Sequence, residues 1–376
     1  MARLSKSLAD LKDHYTVVVV GSGYGGSIAA SRFARAGQSV CLLERGREFL
    51  PGEFPRTLPD AAKEMQADLP DLEKPSIGSR TGLYDFRVNE DINVFLGCGL
   101  GGTSLVNANV ALEPEKRVFE DVRWPKEILA DYDTLLAQGY QRTREMLRPT
   151  PYPDTYPKLP KLEAHAKSAA KIGGSFYKPP ITVTFENGVN HVGVAQTACT
   201  NCGDCVSGCN EGSKNTLAMN YLPDARNFGA EIFTCVSVRR LERVGGKWLV
   251  HFQTLESGRE KFDAPTQFVS ADIVVLAAGT LGSTEILLRS RAAGLSLSDQ
   301  LGRNFTGNGD VLAFGYNCDE EIRGVGHGHM DAADRAPVGP TITGIIDRRG
   351  ELELDDGMVV EEGALPGPLA PIYPKA

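Results

Sequence analysis

"YTVVVVGSGYGGSIAASRFARAGQSVCLLE", residues 15–44, decides the fold. Its first six residues are a continuous apolar, β-branched run, the pattern of a strand buried in a parallel sheet. A glycine bend follows, then residues 27–37 with helical spacing, then a second strand at 39–44. This is the start of a βαβ unit. Gly21, Gly23 and Gly26 fit G-x-G-x-x-G between strand and helix, with Ser22 inside the bend. The first glycine permits the tight turn, the second lets main chain approach a pyrophosphate, and the third lets helix and strand pack closely. The helix N-terminus adds partial positive charge. Glu44 stands eighteen residues beyond Gly26, with Arg45 beside it. A carboxylate there accepts hydrogen bonds from ribose hydroxyls and repels a 2′-phosphate, so FAD or NAD fits better than NADP. This motif alone leaves FAD and NAD open.

Further along, residues 272–290, "DIVVLAAGTLGSTEILLRS", repeat the order strand, glycine turn, helix. "GAEIFTCVSVRRLERV" and "KWLVHFQTL" read as two strands joined at Gly245–Gly246, a hairpin signal. Residues 51–92, rich in Pro, Asp and Glu, read as irregular surface structure. Residues 131–148 read as an amphipathic helix with Tyr132, Leu135, Leu136, Gly139, Met146 and Leu147 near one face. The proline-rich 149–160 is excluded from helix and central strand. A further helix over 161–172 ends at Gly173–Gly174. The expected class is α/β: a Rossmann-like dinucleotide-binding domain with an inserted lobe and the start of an antiparallel-sheet substrate domain. The expected boundaries are 1–115 and 216–310 for the cofactor domain, 116–215 for the lobe and 311–376 for an incomplete substrate-binding domain.

Composition adds exclusions. The 376 residues are 41% hydrophobic and 23% charged, ordinary for a globular chain. The net charge of −8 is dispersed, which argues against a nucleic-acid surface. No apolar run is long enough to span a membrane, and residues 1–14 lack the apolar core of a signal peptide. A cytoplasmic location follows as the default, where eight cysteines are expected as thiols or metal ligands rather than disulfides.

Four of them, Cys199, Cys202, Cys205 and Cys209, stand in C-x2-C-x2-C-x3-C. That is the bacterial ferredoxin run, with Asn210 where proline usually stands. A [4Fe–4S] cluster, zinc, a disulfide pair and simple packing all remain open readings, with the cluster favoured. Zinc usually takes two C-x2-C knuckles across a longer loop. A cluster near a flavin would favour a dehydrogenase that passes electrons to an acceptor protein.

A second glycine loop, "GCGLGGTSLVNANV" (97–110), separates flavin from nicotinamide by bringing bare main chain near a flat ring. At this point the chain resembles the glucose–methanol–choline (GMC) flavoprotein oxidoreductases, in their cholesterol-oxidase-like branch. "VVVGSGYGGSIAASRFARAG", "LLERG", "GLGGTSLVNANVALEP", "VVLAAGTLGSTEILLRS" and "LGRNFTGNGD" carry the resemblance, in the family's order. It implies that Gly21, Gly23, Gly26 and Glu44 hold the ADP half of FAD. Gly101, Gly102, Thr103 and Asn107 would lie along the isoalloxazine, Val238 near the adenine, and Gly279 on the return strand near the cofactor. Val238 reads almost as well as a core valine, and Asn107 as an amide bonding its own loop.

The resemblance also implies FAD-dependent oxidation of a CH–OH group in a small, hydrophobic, sterol-like alcohol. One departure matters. The family's C-terminal histidine, with its Asn or second His, is missing, so the catalytic residues are unassigned. Without such a base the rate falls typically 10²–10⁴-fold. The chain is therefore expected to be a fragment of a longer protein, or else a short form without ordinary catalysis. His327 and His329 in "GVGHGHMD" are weak substitutes, expected in a strand or loop with both rings on one side. The rival readings are a partner-dependent flavin and iron–sulfur electron relay and an NAD-linked reductase.

Overall fold

The computed structural model describes residues 2–69, 76–255, 266–315, 318–330, 335–350 and 352–372. Its centre is a six-stranded sheet. Strand β1 (His14–Val20), helix α1 (Tyr24–Arg35) and strand β2 (Val40–Leu43) form the opening unit. Helix α2 (Tyr221–Asn227) and strands β3 (Glu231–Phe233), β4 (Val236–Val244), β5 (Lys247–Thr254) and β6 (Gln267–Leu276) follow, then helix α3 (Gly279–Ala292). The spatial order is β3-β2-β1-β6-β5-β4. The first four strands are parallel, while β4, β5 and β6 run as an antiparallel meander.

The continuous apolar run of β1 makes physical sense in this setting, because both of its faces are covered. Val17 and Val19 pack with Leu42, Ile232 and the inner faces of α1 and α2. Val18 and Val20 pack on the other side with Leu43, Phe233, Phe252 and Ile286. A buried carboxylate ties the two helices together: Asp224 accepts from Ser31 Oγ at 2.6 Å and from Arg35 Nε at 2.8 Å.

The β4–β5 hairpin turns at Gly245–Gly246, both at positive φ. The helix Pro160–Ile172 closes with the Gly173 amide donating to Ala169 O at 3.0 Å, as its glycine pair led us to expect. Three expectations are corrected. "GAEIFTCVSVRRLERV" is two strands, not one: β3 pairs with β2 and β4 with β5 on the opposite edge, and Cys235 at φ +59° turns the chain between them. Over 132–147 the chain is helical, but Leu135 is 65% exposed and of the six expected inner residues only Leu147 is buried. The described residues of 51–92 are not irregular throughout. Strands Met65–Asp68, Ser76–Gly78, Tyr84–Arg87 and Val94–Gly97 form a second sheet over Phe49, Phe54, Leu83 and Tyr84. The charges that read as solvated are paired within it, as Arg47–Glu64, Arg45–Asp85 and Arg87–Asp68.

A third, antiparallel sheet joins Ser175–Tyr177 to Ile345–Asp347 and Val359–Glu361. Beneath it, Lys161 and Glu362 form a buried ion pair at 2.5 Å. Among the described residues no helix is long and apolar enough to cross a membrane.

Candidate functional site

Two glycine bends meet above the carboxyl ends of β1 and β6. Gly21 closes β1 at φ +94°, and a Cβ there would stand 2.4 Å from Ala277 O at the end of β6. A Cβ on Gly26 would stand 1.9 Å from Gly21 O, so α1 lies directly against the bend. Gly23 differs: a Cβ there meets nothing within 4 Å. It is the N-cap of α1, where unpaired amides and the helix dipole attract anions.

The second bend touches the first. A Cβ on Gly102 would stand 2.9 Å from Gly23 Cα. Ser22 joins the two. Its Oγ accepts from Gly101 N at 2.9 Å and donates to Glu44 Oε2 at 2.5 Å. Glu44 is buried and also accepts from Ser22 N at 2.9 Å and Gly46 N at 2.8 Å. Three accepted bonds leave an ionised carboxylate room for another donor. Thr103 Oγ1 accepts from Gly97 N at 3.2 Å and pins the loop's entry. Asn107 Nδ2 donates to Tyr24 Oη at 2.9 Å, while its Oδ1 accepts from Asn109 N at 3.3 Å, so the side chain spans from α1 to its own loop. Among the described residues, the buried Asn109 amide has no hydrogen-bond partner at either atom. Open space over Gly23, an unpaired amide in the second bend and a helix N-terminus suit a phosphate-bearing ligand with a polar-edged ring.

Residues 15–308 match the GMC oxidoreductase family. The chain belongs to that family. GMC oxidoreductases bind FAD. The chain is 30% identical over 308 residues to a cholesterol oxidase of Mycobacterium tuberculosis (strain CDC 1551 / Oshkosh), covering 78% of this chain and 51% of that protein. It is 27% identical to the long-chain-alcohol oxidase FAO3 of Arabidopsis thaliana, over 81% of this chain and 37% of that one. Among solved structures, pyridoxine 4-oxidase from Mesorbium loti aligns with a TM-score of 0.47 at 19% identity, over 73% of this chain and 52% of that one. The chain spans about half the length of the cholesterol oxidase it matches.

Gly21, Ser22, Gly23, Gly26, Glu44, Gly101, Gly102, Thr103 and Asn107 thus lie in one connected arrangement in this GMC chain. Gly279 opens α3 at φ +74° directly after β6, with open space where a Cβ would be. Two expected cofactor residues are otherwise engaged. The Arg45 guanidinium is bound to Asp85 at 2.5 Å and to Gln66 at 3.0 Å. The Val238 side chain is buried in the sheet core opposite Phe252, so only its main chain is left for a ligand.

The four cysteines converge. Cys199, Cys202, Cys205 and Cys209 are free thiols lining one small cavity, together with Asp204 and Lys214. Burial pushes the Cys199 and Cys202 thiols well up, and the Cys209 thiol up. Asn210 binds Phe54 through both amide atoms, at 3.0 and 3.1 Å, which accounts for an amide at the place proline takes in ferredoxins. Among the described residues, no three His, Cys, Asp or Glu side chains stand close enough to hold a single metal ion.

His327 and His329 do not share a side of a strand. They lie in a loop where His327 is buried and His329 exposed. The His327 amide donates to Cys202 O at 2.8 Å and its Nε2 faces Ala336 O at 3.1 Å, so it braces the cysteine turn.

Three functional candidates escaped the sequence reading. Tyr24 sits at the first position of α1 and holds Asn107. Asp204, half-buried within the cysteine run, accepts from Gly328 N at 2.8 Å and Gly367 N at 2.7 Å. Lys214 is fully buried, and its ammonium donates to Leu105 O at 3.2 Å, Asn107 O at 2.7 Å and Cys205 O at 3.0 Å. It thereby links the cysteine turn to the second glycine bend. Burial draws its pKa down to about 8.

Proposed function

We propose that this chain binds FAD and serves oxidation of a CH–OH group in a hydrophobic, sterol-like alcohol. The observation that carries the reading is the contact between two glycine bends, Gly102 against Gly23, with Ser22 linking both to Glu44. In this reading Gly23 and the α1 amides take the pyrophosphate and Glu44 takes the ribose hydroxyls. Gly101, Gly102, Thr103 and Asn107 border the ring, and Tyr24 fixes the Asn107 amide. Gly279 offers a second helix N-terminus near the cofactor. Bound FAD supplies the two-electron acceptor for hydride leaving the alcohol carbon. No residue of this chain is assigned the alcohol's proton. The sterol-like choice is supported by the likeness to cholesterol oxidases.

The test begins with flavin. Purified chain incubated with FAD and desalted should retain flavin near one equivalent, and NAD should not displace it. Alcohol turnover is then read with an artificial acceptor, for cholesterol against a long-chain primary alcohol. A folded chain that never retains flavin ends the reading; turnover of the linear alcohol alone ends the sterol assignment.

A second reading, a flavin and iron–sulfur relay to an electron-acceptor protein, is favoured by one observation. Lys214 bridges the Cys205 carbonyl to that of Asn107.

A further inference from the structure

The cysteine turn has the features of a binding site rather than of a packed loop. Asn201, Gly203 and Gly208 all take positive φ, and so coil the run around its cavity. Main-chain amides face the sulfurs: Asn201 N donates to Cys199 Sγ at 3.4 Å, and those of Asp204 and Lys214 face Cys202 and Cys209. Hydrogen bonds of this kind stabilise metal-bound thiolate and tune its potential.

The charge balance is the second, independent observation. Lys214 is 1% exposed and lines the cavity. Among the described residues no carboxylate lies in ion-pair contact with its ammonium; it has only three carbonyls. The other deeply buried lysine, Lys161, has Glu362 at 2.5 Å. An ammonium taken out of water without an opposite charge is costly. Neutral thiols supply no such charge, whereas thiolates on a metal centre do.

We propose that Cys199, Cys202, Cys205 and Cys209 hold an iron–sulfur cluster whose net negative charge is balanced by Lys214. The run's spacing, without a second C-x2-C knuckle across a longer loop, favours this over a single zinc ion. Tetrahedral zinc with bonds of about 2.3 Å draws its sulfurs to within about 4 Å of one another. Among the described residues no three His, Cys, Asp or Glu side chains are grouped as a single metal ion requires. A cluster places its thiolates on different irons and so keeps them farther apart. The run's short spacings, with left-handed residues between ligands, suit that wider arrangement.

The test uses the whole chain, produced with iron supplied and purified without oxygen. Iron, acid-labile sulfide, zinc and acid-released FAD are measured on one sample, with electron paramagnetic resonance after dithionite reduction. Iron and sulfide in equal amounts with a reduced-cluster resonance are expected. Cys202→Ser should lose both while Cys318→Ser, altering an exposed thiol, keeps both. Lys214→Met should yield iron to a chelator about tenfold more readily and lower the cluster's reduction potential. Zinc without sulfide overturns the proposal. So does folded protein that takes up no cluster after anaerobic reconstitution with iron and sulfide. Unchanged iron retention and potential in Lys214→Met overturn the counter-charge role. If Cys202→Ser fails to fold, wild-type metal and sulfide content decides the matter. Because FAD is measured separately, cluster without flavin defeats only the flavoprotein reading, and flavin without cluster defeats only this one.

Discussion

The glycine bends and the cysteine turn both leave room for something the chain does not supply, but they do so by opposite means. At the bends the room comes from missing side chains. Main chain runs against main chain, and the buried Glu44 carboxylate has its hydrogen bonds largely met within the fold. At the cysteine turn the side chains are present in excess, as four thiols and a buried ammonium that, among the described residues, no carboxylate pairs with. In the readings proposed above, shape marks the ligand site at the bends, and uncompensated charge marks the one at the turn.

The sharpest way to break this comparison lies within the first bend. Gly26→Ala drives a methyl against Gly21 O at 1.9 Å, a main-chain atom with no flexible end to move aside. The expected loss is about 3 kcal/mol, the upper end for overpacking, with most of the protein unfolded or insoluble. Gly23→Ala meets nothing within 4 Å, and φ at this position is −64°, so no strain arises. Its thermal transition should match the wild type, while FAD affinity falls about tenfold or more, or about 1.4 kcal/mol, because the methyl fills ligand space. Wild-type flavin content in Gly23→Ala would separate this bend from the pyrophosphate.

A smaller effect is expected at the turn's attachment. The half-buried Asp204 carboxylate accepts the Gly328 and Gly367 amides, fastening the cysteine run to two segments more than a hundred residues away in sequence. Asp204→Asn turns an amide nitrogen toward one of those donors. The expected loss is about 2 kcal/mol, the scale of a hydrogen bond to a charged group. Hydrogen exchange should quicken at Gly328 and Gly367 and stay unchanged at β1. Equal quickening throughout would show that the latch is not local.

The same contrast explains what could be read in the sequence. The first bend was legible because close approach of main chain forbids Cβ at fixed intervals, and spacing survives in a linear string. Asn107 was legible only through the family, since its partner Tyr24 lies more than eighty residues away. Lys214 gave no signal, because a lysine among small polar residues reads as exposed, and only tertiary packing removes it from water. The four-stranded sheet between residues 65 and 97 was hidden for a related reason. Its strands are three or four residues long, too short to show alternation, and its arginines and acids look solvated until Arg45 meets Asp85 and Arg47 meets Glu64. Val238 was read both ways, and its side chain belongs to the core.

Glu231 is the control for the charge argument, because its counter-charges are part of the fold. On β3 its carboxylate accepts from Lys6 Nζ at 2.7 Å and Tyr15 Oη at 2.6 Å, with Lys12 Nζ at 3.1 Å. Burial raises its pKa, but these partners outweigh burial and hold it at about 2, against 4.5 for an ordinary glutamate. A carboxyl whose pKa is depressed on folding stabilises the protein fully above its unfolded value. That contribution is lost as pH falls from about 4.5 toward 2. Allowing for screening at the exposed lysines, it amounts to about 2 kcal/mol at neutral pH. Glu231→Gln should therefore lower the thermal transition at pH 7, and the gap to wild type should narrow steadily below pH 4.5. This should hold with or without added iron, sulfide or flavin, unlike any change at Lys214. A gap that stays constant down to pH 3 would mean that the folded carboxylate is not held ionised by Lys6, Lys12 and Tyr15.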